Sequence, residues 1–133
     1  MYVPHITESE WTIMQKLWEK SPITASEIVS LVQQEKKLVQ TTVKTLLRRL
    51  IAKNAVGFTI DEHNQKLYYY FPLVSEEDCI KDKSEHFLSL YYKDDAKKLF
   101  TAFVDNAELS SEEIEELSQM LEKRKKRDAG SNQ

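Results

Sequence analysis

Glycine is nearly absent: Gly57 and Gly130 are the only two in 133 residues, and Pro4, Pro22 and Pro72 are the only prolines. A β sandwich or barrel needs a turn signal roughly every ten residues, which these numbers exclude. No glycine-rich loop is available to cradle a phosphate. The single Cys79 rules out an internal disulfide and fits a reducing cytoplasm. No apolar run approaches the roughly 18 residues of a membrane span, and the first residues lack the charged-then-apolar order of a secretory leader. The expectation is a soluble, cytoplasmic protein. Hydrophobic residues at 41% and aromatics at 10% are too many for a disordered chain. What is left is a small, mainly helical protein.

Catalytic and metal-binding constellations are missing as well. His5, His63 and His86 are scattered, and no Ser, Cys or carboxylate stands at the spacing of a triad or dyad. Cys79 and His86 could align on one helix with Asp82 or Lys83 between them, but two or three groups on one helix make a poor metal site. Cys79 reads better as a small apolar side chain at a packing position. No enzyme, metal or cofactor is expected.

The net charge of −3 conceals an asymmetry. Residues 1–74 carry +2 and residues 75–133 carry −5. Between positions 36 and 60 stand six bases (Lys36, Lys37, Lys44, Arg48, Arg49, Lys53) and no acid. A basic field on an acidic chain suits a polyanion, although a solvated helix face would look the same.

Helix-start signals are dense. Thr7-Glu8-Ser9-Glu10 has the spacing of a capping box, followed by Trp11, Met14, Leu17 and Trp18 at helical intervals. After Pro22, Thr24-Ala25-Ser26-Glu27 repeats the device before Ile28, Val29 and Val32. A third helix begins near Gln40 and Thr41, with Val43, Leu46, Leu47, Leu50 and Ile51 as its apolar stripe. Asn54 stands where a left-handed cap is expected. The pattern then changes to β-branched and aromatic residues over 56–60 and 66–71, joined by the polar 61–65, which reads as a hairpin closed by Pro72. Three further helices follow. One opens at Ser75, one is capped by Asp94 or Asp95, and one opens at Ser110 and ends in the cations of 123–127. Their stripes need a cover that about sixty residues cannot supply, and self-association is the simplest.

The predicted architecture is therefore mainly α. An N-terminal winged helix-turn-helix (three helices plus the hairpin) occupies 1–74, a three-helix dimerisation region 75–127, and a frayed tail 128–133. The stripe of the third helix leaves Thr41, Thr45, Arg48, Arg49 and Ala52 facing outward. Gln40, Thr41, Thr42, Lys44 and Thr45, mostly short hydrogen-bonding side chains, suit base edges in a major groove. Arg48, Arg49 and Lys53 suit flanking phosphates, as do Lys36, Lys37 and, at the wing, Lys66 beside His63, Asn64 and Gln65. The candidate dimer interface comprises Ile80, Phe87 and Tyr91, then Leu99, Phe100 and Phe103, then Ile114, Leu117 and Leu121.

With these elements placed, the chain resembles the penicillinase-repressor (BlaI/MecI/CopY) family of bacterial transcription regulators over about residues 5–125. The resemblance rests on Thr7-x-x-Glu10-Trp11 with Met14 and Trp18, and on Thr42-Val43-Lys44-Thr45-Leu46-Leu47-x-Arg49-Leu50. Tyr68-x-Tyr70-x-Pro72 and Leu109-Ser110-x-Glu112-Glu113-Ile114-x-x-Leu117 complete it. It implies a homodimer on a palindromic double-stranded DNA operator, repressing an operon until an inducing signal releases it. The copper-responsive branch ends in paired Cys-x-Cys motifs, which are missing here and argue against copper sensing. The β-lactam-responsive branch is released by proteolysis at an Asn–Phe bond, with a membrane sensor-protease as partner. The matching position here reads Ala102-Phe103, a candidate cleavage site. Asn54 replaces the family's usual Gly. The competing expectation is a winged helix serving as a protein–protein interaction module without sequence-specific DNA binding.

Overall fold

The computed structural model describes residues 3–35, 38–91 and 95–131. Three helices come first, α1 (Glu8–Glu19), α2 (Ala25–Val32) and α3 (Gln40–Ala52), followed by strands β1 (Val56–Ile60) and β2 (Tyr68–Pro72). Helices α4 (Glu76–Tyr91), α5 (Ala96–Asn106) and α6 (Ser111–Ser131) complete the order. The chain divides into two compact units, Met1–Ser89 and Leu90–Gln133.

Both capping boxes form. The Thr7 and Thr24 hydroxyls accept from the amides of Glu10 and Glu27, whose carboxylates accept from the threonine amides in return. Satisfying these end groups fixes where α1 and α2 start. Their apolar sides meet that of α3 in one core of Ile13, Met14, Leu17, Ile28, Val32, Val43, Leu46, Leu47 and Leu50, all nearly inaccessible to water. Beyond α3, Asn54 takes φ 62°, the left-handed turn that its sequence position anticipated, and the chain enters the hairpin.

The strands pair antiparallel from Val56 opposite Pro72 to Ile60 opposite Tyr68. Gly57 is there for want of a side chain: a Cβ would stand 2.7 Å from the Phe71 ring. Lys66 and Leu67, expected in the second strand, belong to the connection instead. The Asp61 carboxylate accepts from the His63 and Asn64 amides and Asn64 Oδ1 from the Lys66 amide, each at 3.0 Å, so side chains and not ladder pairing organise this segment. Ile23 exchanges two backbone hydrogen bonds with Tyr70, at 2.8 and 3.1 Å, adding a short bridge to the sheet.

Ion pairs tie the helices together. Lys16, almost fully buried, donates to Glu35 Oε1 at 2.6 Å. Glu10 is fully buried, and its Oε1 accepts from the Thr7 amide at 2.9 Å and from Lys53 Nζ at 2.5 Å. Lys53 Nζ also donates to the His5 carbonyl at 2.9 Å, while Glu10 Oε2 has no hydrogen-bond partner among the described residues. Burial pushes the Glu10 carboxyl up, but Lys53 and Thr7 outweigh it and hold the carboxyl below its ordinary value.

The first unit extends past the expected boundary at 74 and takes in most of α4. Cys79 is buried in the core, Trp18 Nε1 donates to the Val74 carbonyl at 2.9 Å, and Lys83 Nζ donates to the Ile6 carbonyl. Burial, with Asp82 and Asp78 nearby, pushes the Cys79 thiol up, in keeping with a packing role. At the other end α6 continues through Ser131, where a frayed tail was expected from 128. Arg124 Nε reaches both Asp128 oxygens, at 3.1 and 3.2 Å, across one further turn.

Replacing Lys53 by Met should leave the buried Glu10 without its counter-charge. The expected cost near neutral pH is about 2 kcal/mol, below the value for a fully buried pair because Lys53 is partly exposed. A folded-state pKa held below the unfolded one gives stability that is complete above about pH 4.3 and is lost as pH falls through the folded value. Urea titrations from neutral pH down to about pH 3 should therefore show wild type and variant converging. A gap that stays constant would mean that the loss does not come from the ionised pair.

Candidate nucleic-acid interface

The division of α3 into a buried and an open side follows from its stripe. With Val43, Leu46, Leu47 and Leu50 buried, the 3.6-residue period turns Gln40, Thr41, Thr42, Lys44, Thr45, Arg48 and Arg49 outward, and all seven are exposed. Thr45 Oγ1 donates to the Thr41 carbonyl at 2.9 Å, so its hydroxyl is left with acceptor capacity. Unlike α1 and α2, α3 has neither a side-chain cap nor an acid in its first turn. Its N-terminal amides and positive dipole end thus remain suited to an anion.

Beside this face runs a groove of about 360 Å³, lined by the N-terminus of α2 (Thr24, Ala25, Ser26), by Gln40, Lys44 and Arg48 of α3, and by Lys66, Tyr68 and Tyr70 of the hairpin. Three cations and a helix N-terminus converge there with no carboxylate in the lining. Burial and the neighbouring Tyr68 push the Tyr70 phenol up, and the Arg48 guanidinium acts the other way. The participation of α2 was not anticipated. The capping box at Thr24 marks a helix end, but only the tertiary fold turns that end towards α3.

The wing is better ordered than its polar sequence suggests. His63, Asn64, Gln65 and Lys66 are exposed at its tip, and Asp61, which looked unfavourable beside a polyanion, is engaged by its own loop amides. Behind the tip, Phe58, Tyr68 and Tyr70 form one aromatic set with ring centroids 5.2–6.4 Å apart. Lys53 departs from the expectation of a phosphate contact: its ammonium turns inward to Glu10, and it leaves the set of outward cations on that ground. Lys36 and Lys37 lie outside the described residues.

Among the candidate dimer residues, Ile80 and Phe87 of α4 are exposed in the first unit. In the second unit Phe100, Phe103, Ile114 and Leu121 are each 44–54% exposed, Leu99 and Leu117 are half-buried, and α5 has no buried residue. The Tyr91 side chain lies outside those described. Leu90, Val104 and Met120 are further exposed apolar residues. So much apolar surface is unusual for a monomer. Ala102 and Phe103 are exposed within α5. Among the described residues no group of three or more His, Cys, Asp or Glu could hold a metal, and no helix is long and apolar enough to cross a membrane.

Three helices, an antiparallel hairpin and an exposed third helix define the winged-helix class of DNA-binding folds. Comparison with known proteins narrows the class: residues 6–123 match the penicillinase repressor family. The chain is 32% identical to the penicillinase repressor of Bacillus licheniformis over 126 residues, covering 94% of this chain and 95% of that one. It is 34% identical to the methicillin resistance regulatory protein MecI of Staphylococcus aureus over 119 residues, covering 90% and 94%. Among solved structures, the DNA-binding domain of the repressor BlaI aligns with a TM-score of 0.51 at 26% identity, over 58% of this chain and 90% of that domain. A mutant of S. aureus MepR, at 19% identity and a TM-score of 0.53 over 92% of this chain and 79% of its own, shares the fold. The chain belongs to the penicillinase repressor family, whose members are transcriptional repressors and not enzymes.

Asp61→Ala removes the acceptor of two loop amides and should loosen the wing at a cost of about 1 kcal/mol. Amide exchange at Asn64 and Leu67 should quicken while exchange in α1 is unchanged. Unaltered protection at the tip would show that the turn does not depend on Asp61.

Proposed function

We propose that this chain is a homodimeric, sequence-specific DNA-binding repressor that blocks transcription by occupying a palindromic operator. Each subunit lays the N-terminal half of α3 in a major groove. Gln40, Thr41, Thr42, Lys44 and Thr45 meet base edges, and Arg48, Arg49 and Lys66 meet phosphates. Lys36 and Lys37 extend that set by their place in the chain. The observation that carries this reading is the open face of α3, uncapped and free of acid, beside a groove lined by Lys44, Arg48 and Lys66. Similarity along nearly the whole chain to a penicillinase repressor and to a methicillin resistance regulatory protein supports it.

Dimerisation through α4, α5 and α6 accounts for their exposed apolar residues, and it makes affinity depend on two linked half-sites. Whatever parts the subunits then releases the DNA. Ala102-Phe103 is the candidate position for such an event, with a membrane sensor-protease as the agent. Because that peptide lies inside α5, cleavage requires the helix to unwind locally.

Gel-shift titrations on the chain's own promoter test the assignment. Lys44→Ala should cost about 1–3 kcal/mol of discrimination between operator and scrambled duplex. Arg48→Ala should weaken binding to every sequence alike and lower the salt slope by about one. Equal affinity of the wild-type chain for operator and scrambled DNA would instead favour a protein-interaction module.

A further inference from the structure

Helix α6 is polarised along its length. Its first half holds Glu112, Glu113, Glu115 and Glu116 and no base, whereas residues 123–127 are five consecutive cations. From within the acidic block to the edge of the basic one, Ile114, Leu117 and Leu121 recur at helical spacing, the first and last of them 53% and 54% exposed. We infer that α6 pairs with α6 of a second copy in antiparallel orientation, its acidic half against the other's basic half. This rests on the dimer reading above and specifies how the two chains meet.

Charge selects the orientation. In a parallel pair each block would lie beside its own copy, acid on acid and base on base, at spacings where neither is screened away. Reversing one helix turns both encounters attractive. It also satisfies two-fold symmetry, because one self-complementary surface serves both chains. The apolar residues obey the same operation: with the axis level with Gln119, the Leu117–Leu121 segment of each chain lies against that of the other. The helix thus combines an apolar seam with flanking charges that fix direction.

Single cysteines in the full-length chain test this directly, with wild type as the control for the buried Cys79. Ser118→Cys, near the axis, should be joined to its copy by a short bismaleimide. Ser111→Cys and Lys125→Cys should each fail alone yet cross-link when the two chains are mixed, since either residue and its own copy would stand about 20 Å apart. Self-cross-linking of the 111 and 125 variants would overturn the antiparallel assignment. A chain that sediments as a dimer but cross-links at none of these positions would remove α6 from the interface while leaving the dimer intact. A monomer in sedimentation would end both readings.

A charge exchange supplies a second readout. Glu115→Lys with Glu116→Lys should weaken self-association at low salt, and adding Lys123→Glu and Arg124→Glu to the same chain should restore it. If the fourfold variant stays as weak as the double one, these charges do not set the pairing.

Discussion

The stripe Val43, Leu46, Leu47 and Leu50 is the constraint on which the functional surface depends. Once those four side chains are sealed against α1 and α2, the helical period leaves no choice about which residues of α3 face outward. The threonines and cations of the open side cost helix propensity or make no contribution to the core, so their presence together is informative only because the buried side is fixed. Burial of about 2 kcal/mol for each large aliphatic side chain holds this arrangement far more strongly than any surface pair could. The surface proposed to read DNA is thus a by-product of core packing, which turns several short side chains outward together.

The Glu10–Lys53 pair adds a different kind of constraint. A carboxylate taken wholly out of water, with one oxygen left unpartnered, is no efficient source of stability. What the pair supplies is registry, because it fastens the start of α1 to the residue that follows α3, and the His5 carbonyl joins at the same ammonium. Lys83, reaching from α4 to the Ile6 carbonyl, attaches the next helix to the same short segment. Residues 5–10 therefore act as a common anchor for the end of α3 and for α4.

What the sequence made legible was local. The capping boxes at Thr7 and Thr24, the left-handed Asn54, the apolar stripes and the hairpin composition involve residues a few positions apart, whose geometry follows from chain stereochemistry alone. Contacts between distant residues were not legible. Nothing near Lys53 in the sequence points to Glu10 as its partner, and charge and spacing alone group it with the outward cations. The Ile23–Tyr70 bridge, the turn of α2 towards the groove and the attachment of α4 through Cys79 and Trp18 likewise arise only when separate elements meet. By composition Lys66 belongs with the strand, because Leu67 and the tyrosines follow it, whereas Asp61 and Asn64 capture the local amides first. Family membership supplies the class of function, and the outward residues of α3 are the physical basis proposed for it.

Hydroxyl-radical footprinting of the full-length chain on the DNA upstream of its own gene measures the central claim most directly. Two equivalent protected patches on one face of the duplex, one helical turn or a whole multiple of about 10 base pairs apart, are expected from a two-fold pair of α3 helices in successive major grooves. A single patch, or protection no different on a scrambled sequence, would contradict the account.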